Sequence, residues 1–317
     1  MFMKANNLID LDQLSHAEVQ ELITLAGEIR KNPAWYMDAC HGKIMATLFY
    51  EPSTRTQMSF QAAMLRLGGK VIGFDNPGNS SVSKGESLKD TVRIISNYSD
   101  LIVMRNPREG ASLAASLYSR VPVINAGDGG HLHPTQTLTD LVTLSYEKGR
   151  LTNLTIGLCG DMKNGRTVHS LIKCLSQYEG NRFVLISTPQ LQIPQYIRDV
   201  LHANNCPYAC LDSLEAAIPE LDVLYMTRSQ QRFSSPAEYE KQKGVYVLDR
   251  EKLRGAKKDL RILHPLPRVD EITVDVDDDP RAKYFEQGEY GMYARMALIL
   301  EMLRKSSGEV PPRKHGT

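Results

Sequence analysis

Eight consecutive residues, Phe49-Tyr50-Glu51-Pro52-Ser53-Thr54-Arg55-Thr56, carry the densest chemistry in the chain. An apolar, β-rich run from Lys43 to Tyr50 leads into a proline, after which Met58, Phe60, Ala63, Met64 and Leu67 recur at helical spacing. Ser53 to Thr56 therefore fall at the mouth of a helix, where backbone N–H groups have no helical partner and the helix dipole favours an anion. The hydroxyls add donors, and Arg55 adds a planar cationic fork suited to phosphate. The competing reading is an ordinary Ser/Thr cap beside a solvated Arg, and this segment alone leaves both open.

More cations stand at comparable places. Arg105 closes the apolar run 101–105, Arg166 opens the helical pattern after the run 154–160, and Arg228 follows the run 222–227. The loop Asn76 to Glu86 is rich in Gly, Ser and Asn and contains Lys84; the segment does not decide whether Lys84 reaches a ligand. The run 121–126 leads through Gly127, Gly129 and Gly130 to His133-Pro134-Thr135-Gln136. Glycines permit close backbone approach, and Pro134 suits a first helical position, leaving His133 at the helix mouth as a neutral hydrogen-bond donor with Gln136 one turn on. His131 and His133 lack a third ligand, so no metal is expected. In His264-Pro265-Leu266-Pro267-Arg268 two prolines stiffen the backbone and turn carbonyls outward.

The familiar cofactor signatures are missing. Gly157, Gly160 and Gly165 do not make G-x-G-x-x-G, and no Walker A, H-E-x-x-H or G-x-S-x-G sequence occurs. The inventory is rich in cations and poor in nucleophiles. Such a site fits substrates that bring several negative charges and their own reactivity, with the protein supplying orientation and electrostatic stabilisation and no cofactor.

The elements that must position these residues alternate. Strands are expected at 43–50, 70–75, 101–105, 121–126, 154–160, 182–187, 208–211, 222–227 and 261–265. Helices are expected near 15–30, 54–67, 86–99, 111–120, 134–148, 165–178, 194–204, 213–219, 236–243 and 289–305. Ser15 and Glu18 form a capping box for the first helix. The alternation predicts an α/β fold of two doubly wound parallel-sheet domains with helices on both faces, joined by interdomain helices. In such sheets ligands bind beyond the carboxyl ends of the strands. Glu147-Lys148-Gly149-Arg150 closes a helix and sets the expected boundary, with residues 1–149 as one domain and 150–288 as the other. The final helix, 289–306, is assigned to the first domain. Asp275 to Asp279 reads as a solvated loop, and Gly308 to Thr317 as a frayed end.

At 317 residues there is length for two cores. Charged residues at 24% and a net charge of +1 provide no general attraction to nucleic acid or anionic membrane. No apolar run approaches the ~18 residues that span a bilayer, and Met1 to Asn7 lacks a signal-peptide core, so a cytoplasmic protein is expected. The five cysteines, Cys40, Cys159, Cys174, Cys206 and Cys210, read as buried reduced thiols. Cys206 and Cys210 have no second close pair to complete a zinc set.

Taken in order, Phe49 to Thr56, Lys84-Gly85-Glu86, Arg105, His133 to Gln136, Gly160-Asp161, Gly165 to Ser170, Met226 to Gln230 and His264 to Arg268 strongly resemble the aspartate carbamoyltransferase catalytic chains of the transcarbamoylase family. The resemblance runs from the first helix to the last. It implies transfer of the carbamoyl group of carbamoyl phosphate to L-aspartate, giving N-carbamoyl-L-aspartate and phosphate, in pyrimidine synthesis. It also implies roles by position. Ser53, Thr54, Arg55, Thr56 and Arg105 would bind phosphate; Thr56, Arg105 and His133 would polarise the carbamoyl oxygen; Gln136 would contact the carbamoyl nitrogen. Arg166, Thr167, Arg228 and Gln230 would hold aspartate, and the carbonyls of Leu266 and Pro267 would orient the carbamoyl amide. The departing phosphate would take the amine proton. Ser81 and Lys84, with Ser80 as an alternative to Ser81, would reach into a neighbouring subunit of a homotrimer. Two domains closing on aspartate would exclude water.

One departure stands out. Where the family reads R-x-Q-x-E-R-F, this chain has Arg228-Ser229-Gln230-Gln231-Arg232-Phe233, without the Glu and one residue shorter. The rival within the family is the ornithine enzyme, or one using another amine. Ornithine enzymes carry H-C-L-P where this chain has His264-Pro265-Leu266-Pro267 and lack the loop Lys, and Arg228 suits a dicarboxylate. A catalytically silent scaffold is the reading from a different class. The sequence leaves a regulatory subunit open.

Overall fold

The computed structural model describes residues 7–129, 132–228 and 244–307. The expected helix at 236–243, residues Ser229 to Phe233, His131 and the tail from Gly308 lie outside the described residues.

The chain divides into two compact units, one running to Val142 and resuming at Glu289, the other spanning Thr143–Gly288. In the first unit four strands alternate with helices: β1 (Ile44–Phe49), α2 (Thr54–Arg66), β2 (Lys70–Phe74), α3 (Leu88–Ile95), β3 (Leu101–Asn106), α4 (Ala111–Tyr118), β4 (Val123–Asp128) and α5 (Pro134–Lys148). Ahead of them α1 (His16–Lys31) opens on the expected Ser15–Glu18 capping box. All neighbouring strands are parallel, in the order β2-β1-β3-β4. Ala46, Leu48, Ile102, Met104 and Val123 join one of its apolar clusters with Val92 and Ala115.

The second unit holds β5 (Thr155–Cys159), α6 (Arg166–Leu175), β6 (Arg182–Ile186), α7 (Gln195–Ala203), β7 (Tyr208–Leu211), α8 (Leu214–Ala217), β8 (Val223–Met226) and β9 (Arg261–Leu263). Its sheet is again parallel, in the order β7-β6-β5-β8-β9. The last helix, α9, runs Tyr284–Ser307, starting five residues earlier than expected. The chain passes from the first unit to the second inside α5 and returns inside α9.

These strand orders decide where chemistry can sit. In the first sheet β1 is followed outward by β2, whereas β3 is followed by β4 in the opposite direction, so the winding reverses between β1 and β3. In the second sheet it reverses between β5 and β8. Adjacent loops at a reversal point part to opposite faces and leave a crevice at the carboxyl ends.

Two expectations need correction. The stretch Asp275 to Asp279 is not a solvated loop: Val276 is fully buried, Asp277 holds Arg268, and Asp279, 8% exposed, binds Arg281. Charge alone suggested solvation, but each of these two acids has an Arg within reach. Of the five free thiols four are buried, while Cys210, on the edge strand β7, is exposed.

Candidate functional site

Each reversal point carries cations. In the first sheet Phe49 at the end of β1 pairs with Arg105 of β3, and the Tyr50 N–H bonds the Arg105 carbonyl at 2.8 Å. That register sets the Ser53–Thr56 turn beside Arg105. Ser53 stands at the N-cap of α2, yet its side chain makes no capping bond, and the first ladder bond is Gln57 N–H to Ser53 O. Ser53, Thr54, Arg55 and Thr56 thus occupy the cap and first turn, with Thr56 buried.

Arg105 is aimed by a bulge. Met104 pairs with Asn125 but Asn106 with Asp128, so β4 holds one extra residue opposite Arg105. A bulge of this kind frees backbone and redirects a side chain. Gly127 supplies the φ of +121°, and Arg105 Nη1 donates to the Ala126 carbonyl at 3.2 Å. Nη2 lies 2.6 Å from Glu51 Oε1, and His133 Nε2 is 3.5 Å from Nη1. A phosphate reaching Arg105 competes with the Glu51 carboxylate for the same fork. Arg105 and His133 are close enough to face one oxygen together.

Gln136, in the first turn of α5, donates from Nε2 to Asp140 Oδ1 at 2.9 Å. An ionised carboxylate only accepts, so this bond leaves the Gln136 carbonyl oxygen to meet a donor such as an amide N–H. Asp140 is fully buried. Arg295 of α9 offsets its charge; burial lowers the Arg295 pKa to about 10, against the pull of Asp140, so it stays a cation at neutral pH.

The loop after β2 behaves differently. Ser81–Lys84 is a turn of 3₁₀ helix closed by Gly85 at φ +92°. Ser80 is tied into the loop, donating to the Pro77 carbonyl and accepting from the Val82 N–H. Ser81 and Lys84 are exposed, and Lys84 makes no ion pair among the described residues.

In the second sheet the two strands at the reversal are pressed together at their ends. The Thr227 N–H bonds the Cys159 carbonyl at 2.8 Å, and a Cβ on Gly160, which holds φ +122°, would collide with the Thr227 carbonyl. Only glycine fits there. Arg166 and Thr167 open α6 after β5, and Arg228 follows β8. The turn ahead of Arg166 is braced twice. Asp161, fully buried, accepts from Asn164, and His169 Nε2 stands 2.7 Å from the Met162 carbonyl with Tyr196 Oη 2.8 Å from Nδ1. Since a carbonyl only accepts, Nε2 carries the proton and Nδ1 takes the Tyr196 hydroxyl. Burial pushes the His169 imidazole below its ordinary range, consistent with that neutral form. Next to β8, Tyr225 pairs with Leu263 of β9, so the loop His264–Arg268 lies alongside the Arg228 loop, and the charge of Arg228 acts on His264. The Leu266–Pro267 peptide is cis. Gln230 lies outside the described residues.

The residues named from sequence therefore gather in groups: Ser53 to Thr56 with Arg105, His133 and Gln136 in the first unit, and Arg166, Thr167, Arg228, Leu266 and Pro267 in the second. Sequence reasoning missed Glu51, Asp140, Glu271 and Tyr196, which hold those residues. Only Asp140, one helical turn beyond Gln136, had a readable spacing.

A pair of parallel α/β units with Arg and Thr donors at both reversal points, joined by Ser53 at the first, defines an enzyme for polyanionic substrates. Residues 6–146 match the carbamoyl-P binding domain of the aspartate/ornithine carbamoyltransferases, and residues 152–302 match their Asp/Orn binding domain; the chain belongs to this family. It is 57% identical over 302 residues to the aspartate carbamoyltransferase catalytic subunit of Clostridium novyi, covering 95% of this chain and 99% of the relative. A Clostridium perfringens catalytic subunit is 58% identical over 303 residues, with the same coverage. Among solved structures, the catalytic subunit of M. jannaschii aspartate transcarbamoylase superposes with a TM-score of 0.90 at 47% identity, covering 97% of this chain and all of that one. The Trypanosoma cruzi enzyme in complex with N-(phosphonacetyl)-L-aspartic acid gives 0.88 at 38% identity, covering 94% of this chain and 95% of that one.

Proposed function

We propose that this chain catalyses carbamoyl transfer from carbamoyl phosphate to the amino group of L-aspartate, giving N-carbamoyl-L-aspartate and phosphate in pyrimidine synthesis. The observation that carries the reading is the placing of anion donors at both reversal points, Ser53 to Thr56 with Arg105 at one and Arg166 with Arg228 at the other. Residues 1–149, completed by 289–306, bind carbamoyl phosphate, and residues 150–288 bind aspartate.

Ser53, Thr54, Arg55, Thr56 and Arg105 hold the phosphate. The aspartate nitrogen attacks the carbonyl carbon, and negative charge grows on the carbamoyl oxygen, which Thr56, Arg105 and His133 stabilise as donors. Gln136 accepts from the carbamoyl nitrogen, as do the carbonyls of Leu266 and Pro267. The C–N bond forms, the C–O bond to phosphate breaks, and the departing phosphate carries off the amine proton. No protein nucleophile, metal or cofactor enters this scheme. Arg166, Thr167, Arg228 and Gln230 hold the two aspartate carboxylates.

Lys84 and Ser81 serve a neighbouring subunit of a homotrimer. The support is their exposure on a loop that follows edge strand β2, together with the exposed apolar side chains of Trp35, Met37, Met58, Leu65 and Ile72 in the same unit. A cytoplasmic location accords with five free thiols. Among the described residues no helix is long and apolar enough to cross a membrane.

Carbamoyl transfer from labelled carbamoyl phosphate, with L-aspartate and L-ornithine offered in parallel, tests the reading. Carbamoyl-aspartate alone is expected. Citrulline would keep the phosphate half and discard the aspartate half, and no product from a folded protein would favour a silent scaffold. Arg166→Lys separates the halves further. Lys cannot supply a bidentate fork, so the KM for aspartate should rise about tenfold or more while carbamoyl phosphate binding stays near wild type. Equal loss for both substrates, measured by steady-state kinetics and direct titration, would remove Arg166 from the aspartate site.

A further inference from the structure

The loop after β9 is held by a buried pair that the roles above leave unused. Leu266 has φ +53°, a left-handed conformation that a residue bearing a Cβ keeps only where its surroundings hold it. Its N–H points at His264 Nδ1, 2.7 Å away. An N–H only donates, so Nδ1 must carry the lone pair and the ring proton must sit on Nε2. Nε2 in turn lies 2.6 Å from Glu271 Oε1. The other carboxylate oxygen, Oε2, accepts from the N–H groups of Val269 and Asp270 at 3.0 and 3.1 Å. One carboxylate therefore ties both ends of the loop, through the imidazole on one side and directly on the other. The His264 N–H is fixed as well, donating to Gln287 Oε1 at 3.0 Å. His264 is 2% exposed and Glu271 5%, so water cannot replace these bonds readily.

A doubly protonated ring would set N–H against N–H at Leu266 and break the strap. Burial holds the His264 imidazole below its ordinary range, opposed by Glu271 and aided by Arg228 and Arg268. The pair is a tautomer lock whose product is the orientation of one backbone segment.

We infer that His264 and Glu271 are positioning residues that fix the Leu266–Pro267 backbone and thereby set recognition of the carbamoyl amide. This rests on the reading that the Leu266 and Pro267 carbonyls accept from that amide. Neither side chain touches substrate. Their effect is confined to ligands that carry N–H donors at the carbonyl carbon.

The test compares binding of carbamoyl phosphate, acetyl phosphate and inorganic phosphate to the intact protein. Acetyl phosphate has a methyl group where the amide stands, and phosphate has neither. His264→Gln keeps a donor toward Glu271 but has no acceptor at the Nδ1 position, whereas His264→Asn places an amide oxygen there. In His264→Gln, carbamoyl phosphate should bind about tenfold more weakly, a hydrogen bond's worth, while acetyl phosphate and phosphate are unchanged. His264→Asn should recover most of the difference. A purely structural pair would lower the melting temperature and weaken all three ligands alike, which would overturn the inference, as would unchanged carbamoyl phosphate binding. If His264→Gln does not fold, Glu271→Gln, whose single amide oxygen can accept from Nε2 or from the Val269 and Asp270 N–H groups but not from both, should show a loss of the same selectivity; none would overturn the inference. If the wild-type protein itself fails to prefer carbamoyl over acetyl phosphate, the carbonyl reading fails first.

Discussion

Arg105→Ala should lower kcat by about a thousandfold or more with both substrates saturating, because in the proposed reaction it removes a charged donor from the phosphate and from the oxygen that gains charge. Loss of one preorganised neutral donor at such an oxygen typically costs 10²–10³ in rate, and a guanidinium bound at its second nitrogen should exceed that. The variant must be separated from mere instability. Arg105 and Glu51 have only 11% and 16% of their side chains exposed, so alanine leaves a largely desolvated carboxylate without its cation. Arg105→Lys resolves the two effects. It keeps a charge for Glu51, so its urea midpoint should stay near wild type, yet its point charge cannot meet phosphate, Ala126 O and a carbonyl oxygen together. A fall of at least a hundredfold in kcat for the folded Lys variant is expected. A fall below tenfold would place Arg105 outside the reacting groups.

The sequence exposed the alternation of strands and helices and the cations that end the strands, because both are local patterns of apolar period and charge. Strand order is not local. Nothing in residues 43–50 or 101–105 says that β1 and β3 are neighbours, and their adjacency is what makes Arg55 and Arg105 one group. The bulge opposite Arg105 was equally hidden: strand 121–126 was expected to end at Ala126, whereas β4 continues to Asp128 with Ala126 and Gly127 taking up the extra residue. The start of α9 was missed for a different reason. Gly288 and Gly291 weaken the helical pattern locally, but a Cβ at Gly291 would stand 2.7 Å from Arg295 Nη1 and 2.9 Å from Thr139 Cγ2. Packing chose glycine there against propensity. His264 and Glu271, seven residues apart in a loop, follow no period at all, and only their shared bond to one backbone segment reveals the pairing.

Lys84→Ala and Arg228→Ala proteins should each retain under about 1% of activity, and mixing them under conditions of subunit exchange should restore part of it. The argument is one of symmetry. In the proposed closed trimer with head-to-tail contacts, each site would draw Arg228 from one subunit and Lys84 from its neighbour in a fixed direction. A hybrid of the two variants always contains one contact where an Arg228-bearing chain meets a Lys84-bearing neighbour, so one site in three is intact. Random exchange at equal concentrations makes about three-quarters of the trimers hybrids, and total activity should therefore approach about a quarter of wild type. The regained sites should have the wild-type KM for aspartate, since every group around them is native. If Lys84 acted within its own chain, no arrangement of subunits could rebuild a site. Hybrids verified by an affinity tag carried by one variant only, yet without recovered activity, would then place Lys84 in the site of its own chain and overturn the shared site.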